Sequence, residues 1–321
     1  MRGVVLAQAG GPDELAARDV EEVHATAGHV RIRVEASPVL WIETRMRAGL
    51  VPSPGSLPAV FGSQAVGVVD EVGDGVDPRL VGTRAAVSGV AIGAHAEFVA
   101  VPVEQCVGVP DGIGAVDAAA VLAGAPVALA LVERAGDLRD ATVLVEAAGS
   151  GIGAYLTQLL RGRAGRVIAT AGSAESRTRA VSFGADVVVD HADLERPGAL
   201  ESAAGGCPID VAFDSIGGEA ARRVLDVLAP LRGRLLSYGM LSGEPPRIVA
   251  ADLYAGGHTV TACAGPAWLE RVAELRAMAL GHVVDGTIRP VIDSTMPLDE
   301  VAAAHRRIDE RATRGTIVLV P

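Results

Sequence analysis

The segment Val143-Leu144-Val145-Glu146-Ala147-Ala148-Gly149-Ser150-Gly151-Ile152-Gly153 carries the clearest chemistry in this chain. Apolar residues form a strand, small residues form a turn, and a helix-favouring run continues to Arg163. A turn without bulky side chains lets backbone N–H groups close on a pyrophosphate, and the positive end of the helix adds to the attraction. Ala148, Gly149, Ser150, Gly151, Ile152 and Gly153 are the candidate cradle. The same residues would also serve a tight strand-to-helix turn with no ligand. The strand before and the helix after favour a dinucleotide site.

The next strand ends Ala169-Thr170-Ala171-Gly172-Ser173. An acidic residue at that end would hold the ribose 2′-hydroxyl of NADH. Here the place is small and uncharged, and Ser173, Arg177 and Arg179 follow. A hydroxyl and a guanidinium suit a 2′-phosphate, so NADPH is the expected cofactor. In the competing reading Ser173 caps the helix and the arginines face water.

These residues need a scaffold. Strands are predicted at 143–145, 167–169, 187–189, 211–213 and 235–237, with helices at 151–163, 174–183 and 220–228. Apolar strands alternating with helices specify a parallel sheet covered on both faces and wound right-handed. Before this run, up to about Pro110, short apolar stretches such as Val30-Arg31-Ile32-Arg33-Val34 and Val66-Gly67-Val68-Val69 alternate with Gly and Pro turns. That is the pattern of a compact β-barrel or sandwich. Residues 118–135 read as one buried helix, 259–262 as a further strand, 268–280 and 298–311 as helices, and 317–320 as a closing strand. The expected class is α/β: a β-barrel domain plus a doubly wound Rossmann domain. The expected parts are 1–117 for the first domain, 118–257 for the Rossmann domain and 258–321 for the return to the first domain.

The net charge is −11, and all 28 basic residues are arginine. An acidic chain without a basic run argues against a nucleic-acid partner. No lysine can therefore act as base, proton donor or phosphate ligand. Cys106, Cys207 and Cys263 are scattered and form no metal-ligand spacing, so reduced thiols and no metal are expected. The apolar runs are broken by Gly and Pro before the roughly 18 residues of a membrane helix. Met1-Arg2-Gly3-Val4-Val5-Leu6 is strand-like and lacks a signal-peptide pattern. A cytoplasmic protein without a membrane partner is expected.

The chain resembles the zinc-independent quinone oxidoreductases, zeta-crystallin-like members of the medium-chain dehydrogenase/reductase superfamily. Met1-Arg2-Gly3-Val4-Val5 is similar to the family's opening strand, and Arg47-Ala48-Gly49-Leu50 to its R-x-G-L turn. Ala94-His95-Ala96-Glu97-Phe98-Val99 resembles G-A-x-A-E-Y, and Ala147 to Gly153 resembles G-A-S-S-G-V-G. Leu236-Ser237-Tyr238-Gly239-Met240-Leu241-Ser242-Gly243 resembles a nicotinamide-side loop, and Arg314-Gly315-Thr316-Ile317-Val318-Leu319 the closing R-G-K-I-V-L. The resemblance implies a GroES-like catalytic domain built from both chain ends, a cofactor between the domains, and a homodimer extended by the strand near 259–262. It adds Tyr238, Gly239 and His191 to the cofactor residues, His191 standing where the family has a tyrosine.

The positions that resemble catalytic zinc ligands hold Leu40, Ser63-Gln64 and a residue near Leu122, so a zinc-free reductase acting on an already polarised acceptor is implied. The stretch resembling N-P-x-D-x-Y-x-R-x-G reads Leu40-Trp41-Ile42-Glu43-Thr44-Arg45-Met46-Arg47-Ala48-Gly49. Leu40, Trp41, Ser63 and Pro126 are therefore the expected substrate pocket. Arg45 is the candidate to stabilise an enolate oxygen, with Glu43 orienting Arg45 or Arg47. Alternatively Glu43 and Arg47 form a structural ion pair, Arg45 is solvated and Trp41 is core. His95 and His305 are expected to be structural. Three functions compete: reduction of quinones or α,β-unsaturated carbonyls, reduction of enoyl thioester or polyketide-like intermediates, and NADPH binding without turnover.

Overall fold

The computed structural model describes residues 1–52, 55–89, 93–191, 193, 196 and 198–321. The chain opens with the hairpin β1 (Arg2–Leu6) and β2 (Leu15–Asp19), then β3 (His29–Val39) and the short helix α1 (Trp41–Arg47). Strands β4 (Ala59–Val60), β5 (Gln64–Val72), β6 (Arg84–Ser88), β7 (Phe98–Pro102) and β8 (Cys106–Gly108) follow, then α2 (Ala115–Leu122) and α3 (Ala125–Ala135). An alternating run comes next: β9 (Thr142–Val145), α4 (Gly151–Leu160), β10 (Arg166–Ala171), α5 (Ala174–Phe183), β11 (Val187–Asp190), α6 (Ala199–Ala203) and β12 (Val211–Asp214). It continues with α7 (Gly218–Leu225), β13 (Arg234–Ser237), α8 (Ala250–Gly256) and β14 (Thr259–Ala262). Helices α9 (Pro266–Glu274) and α10 (Arg276–Val284), strand β15 (Ile292–Pro297), helix α11 (Val301–Asp309) and strand β16 (Thr316–Val320) close the chain.

The chain divides into two compact units. The first holds Met1–Ala123, Arg276–Gly286 and Pro290–Pro321; the second holds Gly124–Leu275 and Thr287–Arg289. The boundary expected at 118 thus lies at 124, and the return expected at 258 lies at 276. Both differences have a packing cause. Residues 118–135 do not form one helix: α2 ends at Leu122 and α3 begins at Ala125. Gly124 sits at the break, with the Tyr155 ring 3.1 Å from where a Cβ would be. Helix α2 packs on β3 and β5 of the first unit, while α3 packs on α4 of the second. The expected helix 268–280 is likewise two helices, α9 against α3 and α10 against α2. Strand β14 belongs to the second unit because it extends the sheet beside β13. No single helix among the described residues is long and apolar enough to cross a membrane.

The second unit is a six-stranded parallel sheet in the order β11-β10-β9-β12-β13-β14. Val143, Leu144, Val145, Ile168, Ala212, Phe213 and Leu235 on its inner strands are all fully buried. Each aliphatic side chain so buried contributes roughly 1.5–3 kcal/mol. Helices cover the faces, so the functional groups of this unit gather where the strands end. The first unit is β-rich. A long sheet runs β15-β16-β3-β5-β6-β8, with β7 on β3, and a smaller sheet runs β2-β1-β4. The C-terminal residues Met296, Leu298, Val301, Ala304, Ile317 and Leu319 share one apolar cluster with Val4, Leu6, Leu15, Val39 and Phe61. The expected return of the tail to the first unit is seen in that cluster.

His305 of α11 is fully buried beside Phe61, ring centroids 6.0 Å apart. Burial lowers its pKa to about 3, against a smaller upward pull from Glu43. The folded protein therefore refuses a proton that the unfolded chain accepts below the ordinary histidine value. This contribution to stability is complete above about pH 6.5 and is lost as the pH falls toward 3. Acidification from about pH 6.5 to about 4.5 is expected to cost about 2–3 kcal/mol through this group. Denaturant melts at the two pH values check it; His305→Leu should remove most of the difference.

Candidate active site

The cradle forms where β9 gives way to α4. Ala147 takes a left-handed backbone angle, φ 51°, and Gly151 another, φ 55°. Ala147 N–H donates to Thr170 Oγ1 at 3.2 Å and Ala148 N–H to the Thr170 carbonyl at 2.9 Å, which ties the turn to β10. The three glycines have different roles. A Cβ on Gly153 would lie 2.6 Å from the Ala147 carbonyl, so this glycine lets α4 lie against its own strand. A Cβ on Gly149 would lie 2.5 Å from the Ser176 side chain. At Gly151 a Cβ would meet nothing within 4 Å, at the first turn of a ten-residue helix. An open direction at a helix N-terminus is the shape an anionic phosphate group needs. Ser150 is the cap residue, but its side chain makes no capping bond.

In the neighbouring loop Ser173 makes the capping bond that the competing reading has: its Oγ accepts from Ser176 N–H at 3.1 Å. The Arg177 guanidinium is ion-paired with Asp190 at the end of β11 and remains about one-third exposed. His191 is turned inward; its Nε2 bonds Thr170 Oγ1 at 2.7 Å, the same hydroxyl that receives Ala147 N–H. Burial lowers the His191 pKa against the pull of Asp190. A neutral imidazole behind the cradle supports the turn, a role that its sequence position did not reveal. On the far side of β9, Gly239 touches the Ser215 carbonyl, which a Cβ would approach to 2.7 Å. Tyr238 N–H donates to the Asp214 carbonyl at 2.9 Å. The tyrosine is partly exposed, but its hydroxyl is buried without a hydrogen-bond partner.

The first unit holds the residues expected around the substrate. Glu43 does not orient either arginine. Its carboxylate is fully buried; Oε2 accepts from Leu40 N–H at 2.8 Å and Oε1 from Ser63 N–H at 2.8 Å. His95 Nε2 lies 3.4 Å from Oε2, while His95 Nδ1 bonds Ser37 Oγ at 2.7 Å. Burial alone would raise the Glu43 pKa, but His95 and the Leu40 N–H outweigh it and hold the carboxyl below its usual range. Glu43 therefore pins the start of α1 to the residue ahead of β5, and His95 is structural as expected.

Arg45 and Arg47 share a partner that the sequence did not indicate. Asp309 at the end of α11 accepts from Arg45 at 2.9 Å and from Arg47 at 2.8 Å. Arg45 also donates to Thr44 Oγ1 and stacks over the Trp41 ring, 5.4 Å from its centroid. The expected Glu43–Arg47 pair is absent, and the charge of Arg45 is already met by a carboxylate. Its expected role at an enolate does not follow from these surroundings. Leu40 caps α1, Leu122 is buried at the end of α2, and Gln64 donates to Ser88 Oγ at 3.2 Å. Pro126 is buried in the first turn of α3, in the second unit.

The chain matches known proteins along its whole length. Residues 26–111 match the model of the alcohol dehydrogenase GroES-like domain, and residues 183–319 match that of zinc-binding dehydrogenases. A quinone oxidoreductase of Pseudomonas aeruginosa is 32% identical over 99% of both chains. The chain belongs to the quinone oxidoreductase family of the medium-chain dehydrogenases and reductases. As a member of this family it is an oxidoreductase. A 2-haloacrylate reductase of Burkholderia is 30% identical over 99% of this chain and 98% of its own. The crystal structure of Escherichia coli quinone oxidoreductase complexed with NADPH superposes with a TM-score of 0.88 at 26% identity, covering all of both chains.

Two outcomes follow from this family member's geometry. Gly151→Ala should weaken NADPH binding about tenfold or more while costing only about 1 kcal/mol of stability, because its strain is local and its methyl enters open space. Gly149→Ala and Gly153→Ala should each cost about 2 kcal/mol or more of stability, because backbone or side chain must move. Fluorescence titration beside denaturant melts separates the two kinds of glycine. For Arg45→Met, single-turnover NADPH oxidation is expected to stay within about tenfold of wild type; a loss of about a hundredfold would return Arg45 to the chemistry.

Proposed function

We propose that this oxidoreductase is a zinc-free, NADPH-dependent reductase of quinones and α,β-unsaturated carbonyl compounds. The observation that carries the reading is the cradle: left-handed Ala147 and Gly151 lead into α4, and the direction of a Gly151 side chain is open. When bound there, NADPH supplies a hydride. Ser173 caps α5 just after β10 and Arg177, ion-paired with Asp190, lies one turn into that helix; a hydroxyl and a guanidinium beside the cradle support the reading of a 2′-phosphate. The related quinone oxidoreductase and 2-haloacrylate reductase are named for acceptors with a polarised conjugated double bond, which needs no Lewis acid to accept a hydride. Leu40 and Leu122 carry no donor atom for a metal. Leu40 and Trp41 offer an apolar surface at the head of α1, held by the Glu43 bonds to Leu40 and Ser63. With no lysine in the chain, water is the proposed proton source after hydride transfer. Strand β14, which pairs only with β13 among the described residues, supports a homodimer formed at this sheet edge.

Steady-state oxidation of NADPH and NADH against a panel of small quinones, enones and enoyl thioesters, on protein dialysed against chelator, tests the reading. NADPH should be preferred, the chelator should change nothing, and Arg177→Ala should lose about tenfold or more in NADPH affinity with little effect on NADH. Activity that requires about one zinc per chain would overturn the metal-free mechanism.

A further inference from the structure

The mechanism uses neither of two carboxyl groups that lie beneath the cradle. Glu146 directly follows β9, and Asp214 ends β12, the neighbouring strand in the sheet. Both side chains are buried, Glu146 to 2% exposure and Asp214 completely. Val145 pairs with Phe213, so Glu146 and Asp214 are the next residues along two adjacent strands, and Glu146 N–H donates to the Phe213 carbonyl at 3.3 Å. The Asp214 carboxyl and the Ser215 and Ile216 N–H groups all act on the Glu146 carboxyl. Asp214 Oδ1 accepts from Ile216 N–H at 3.0 Å and Gly217 N–H at 2.8 Å. Glu146 Oε2, Asp214 Oδ2 and the Tyr238 hydroxyl are buried without partners. Among the described residues no arginine or histidine is paired with either carboxyl. The other titratable group facing them is Tyr238, whose hydroxyl burial pushes upward in pKa.

Two adjacent carboxylates without a cation do not both ionise in a buried site; one keeps its proton and donates it to the other. The backbone decides which. Asp214 Oδ1 takes two N–H groups at 3.0 and 2.8 Å, whereas the N–H groups near the Glu146 carboxyl are not within such bonds, so the Asp214 anion is the better satisfied. We propose that Glu146 is a positioning residue that carries the shared proton, and that this proton holds the phosphate cradle in its binding shape. Glu146 directly precedes the left-handed Ala147, and its carbonyl accepts from Ser215 Oγ at 3.4 Å. Loss of the proton places two negative charges under the turn and drives β9 and β12 apart at their ends. Burial first and Asp214 second raise the Glu146 pKa well above its ordinary value. The sign follows: the stabilisation is complete below the ordinary glutamate range and is lost as the pH rises through the raised value. Dinucleotide affinity should then fall on the alkaline side.

The first test is infrared difference spectroscopy of the intact protein across neutral to alkaline pH. A protonated-carboxyl C=O band is expected at neutral pH, bleaching as the pH rises and missing in Glu146→Gln. The second is NADPH titration by fluorescence over the same range. This half rests on the proposed cofactor. Wild-type Kd should rise by about tenfold per pH unit above the midpoint of the band, as one required proton dictates. Glu146→Gln, whose amide keeps the shape without a proton to lose, should bind like wild type at neutral pH and lack the alkaline rise. Asp214→Asn should move the band's midpoint to lower pH, and it serves if the first variant folds poorly. With no lysine in the chain, the one ammonium is that of Met1, in the first unit. No band in wild type, the same band in Glu146→Gln, or an alkaline rise that persists in that variant would overturn the proposal. A normal band in a wild-type protein that binds no NADPH would uphold the shared proton and overturn the cofactor reading instead.

Discussion

Close approach of backbone to backbone at the strand ends is the constraint from which the second unit follows. Gly153 lies against the carbonyls of Glu146 and Ala147, and Gly239 against that of Ser215, at separations that leave room for hydrogen alone. The first contact seats α4 on the end of β9 and the second brings the ends of β12 and β13 together, so that the turn after β9 has little freedom. Its remaining degrees of freedom are taken up by Thr170, whose carbonyl and hydroxyl receive the N–H groups of Ala148 and Ala147. The outcome is a turn held in one shape by its own backbone contacts, which spares any ligand taken there the entropy of ordering it.

Buried charge organises both units, by opposite means. Glu43 is an anion kept ionised in a sealed site by two backbone donors and the adjacent imidazole of His95. Glu146 is equally buried, but its neighbour is another carboxyl. The first carboxyl is held below its usual range and the second well above it, although the two residues are chemically identical. Environment sets the protonation state, and each state suits its place in the fold. The ionised Glu43 joins two backbone segments, and the protonated Glu146 lets two strand ends lie side by side. A similar logic explains Asp309, whose two oxygens separate and neutralise Arg45 and Arg47. Both guanidiniums are thereby fixed against α11 and, in the case of Arg45, against the face of Trp41.

What the sequence determined by itself is whatever depends on neighbours a few positions away. The alternation of apolar strands and helices was legible because its period is local; α5 has the bounds its residues predict, 174–183, and β9 contains Val143-Leu144-Val145. The small residues from Ala147 to Gly153 were legible for the same reason, since a turn that must come close to something cannot carry side chains. The ordered likeness of the whole chain to one family made the β-rich first unit and the return of its tail readable as well.

Only the tertiary structure decided the partners. Helix periodicity runs unbroken through residues 118–135, yet the helix breaks at Gly124 because α2 and α3 pack on different units. Arg47 looked toward Glu43 four positions away on the same short helix, but its partner is Asp309, 262 positions distant. His191, which the family likeness set among the cofactor residues, bonds Thr170 behind the turn, a contact that no sequence pattern shows. The Glu146–Asp214 contact was invisible because it depends on β12 inserting beside β9 rather than beside β11. Hydrogen bonds and ion pairs act over a few ångströms in space, whereas sequence patterns report separation along the chain. The sheet order and the docking of α11 convert one into the other.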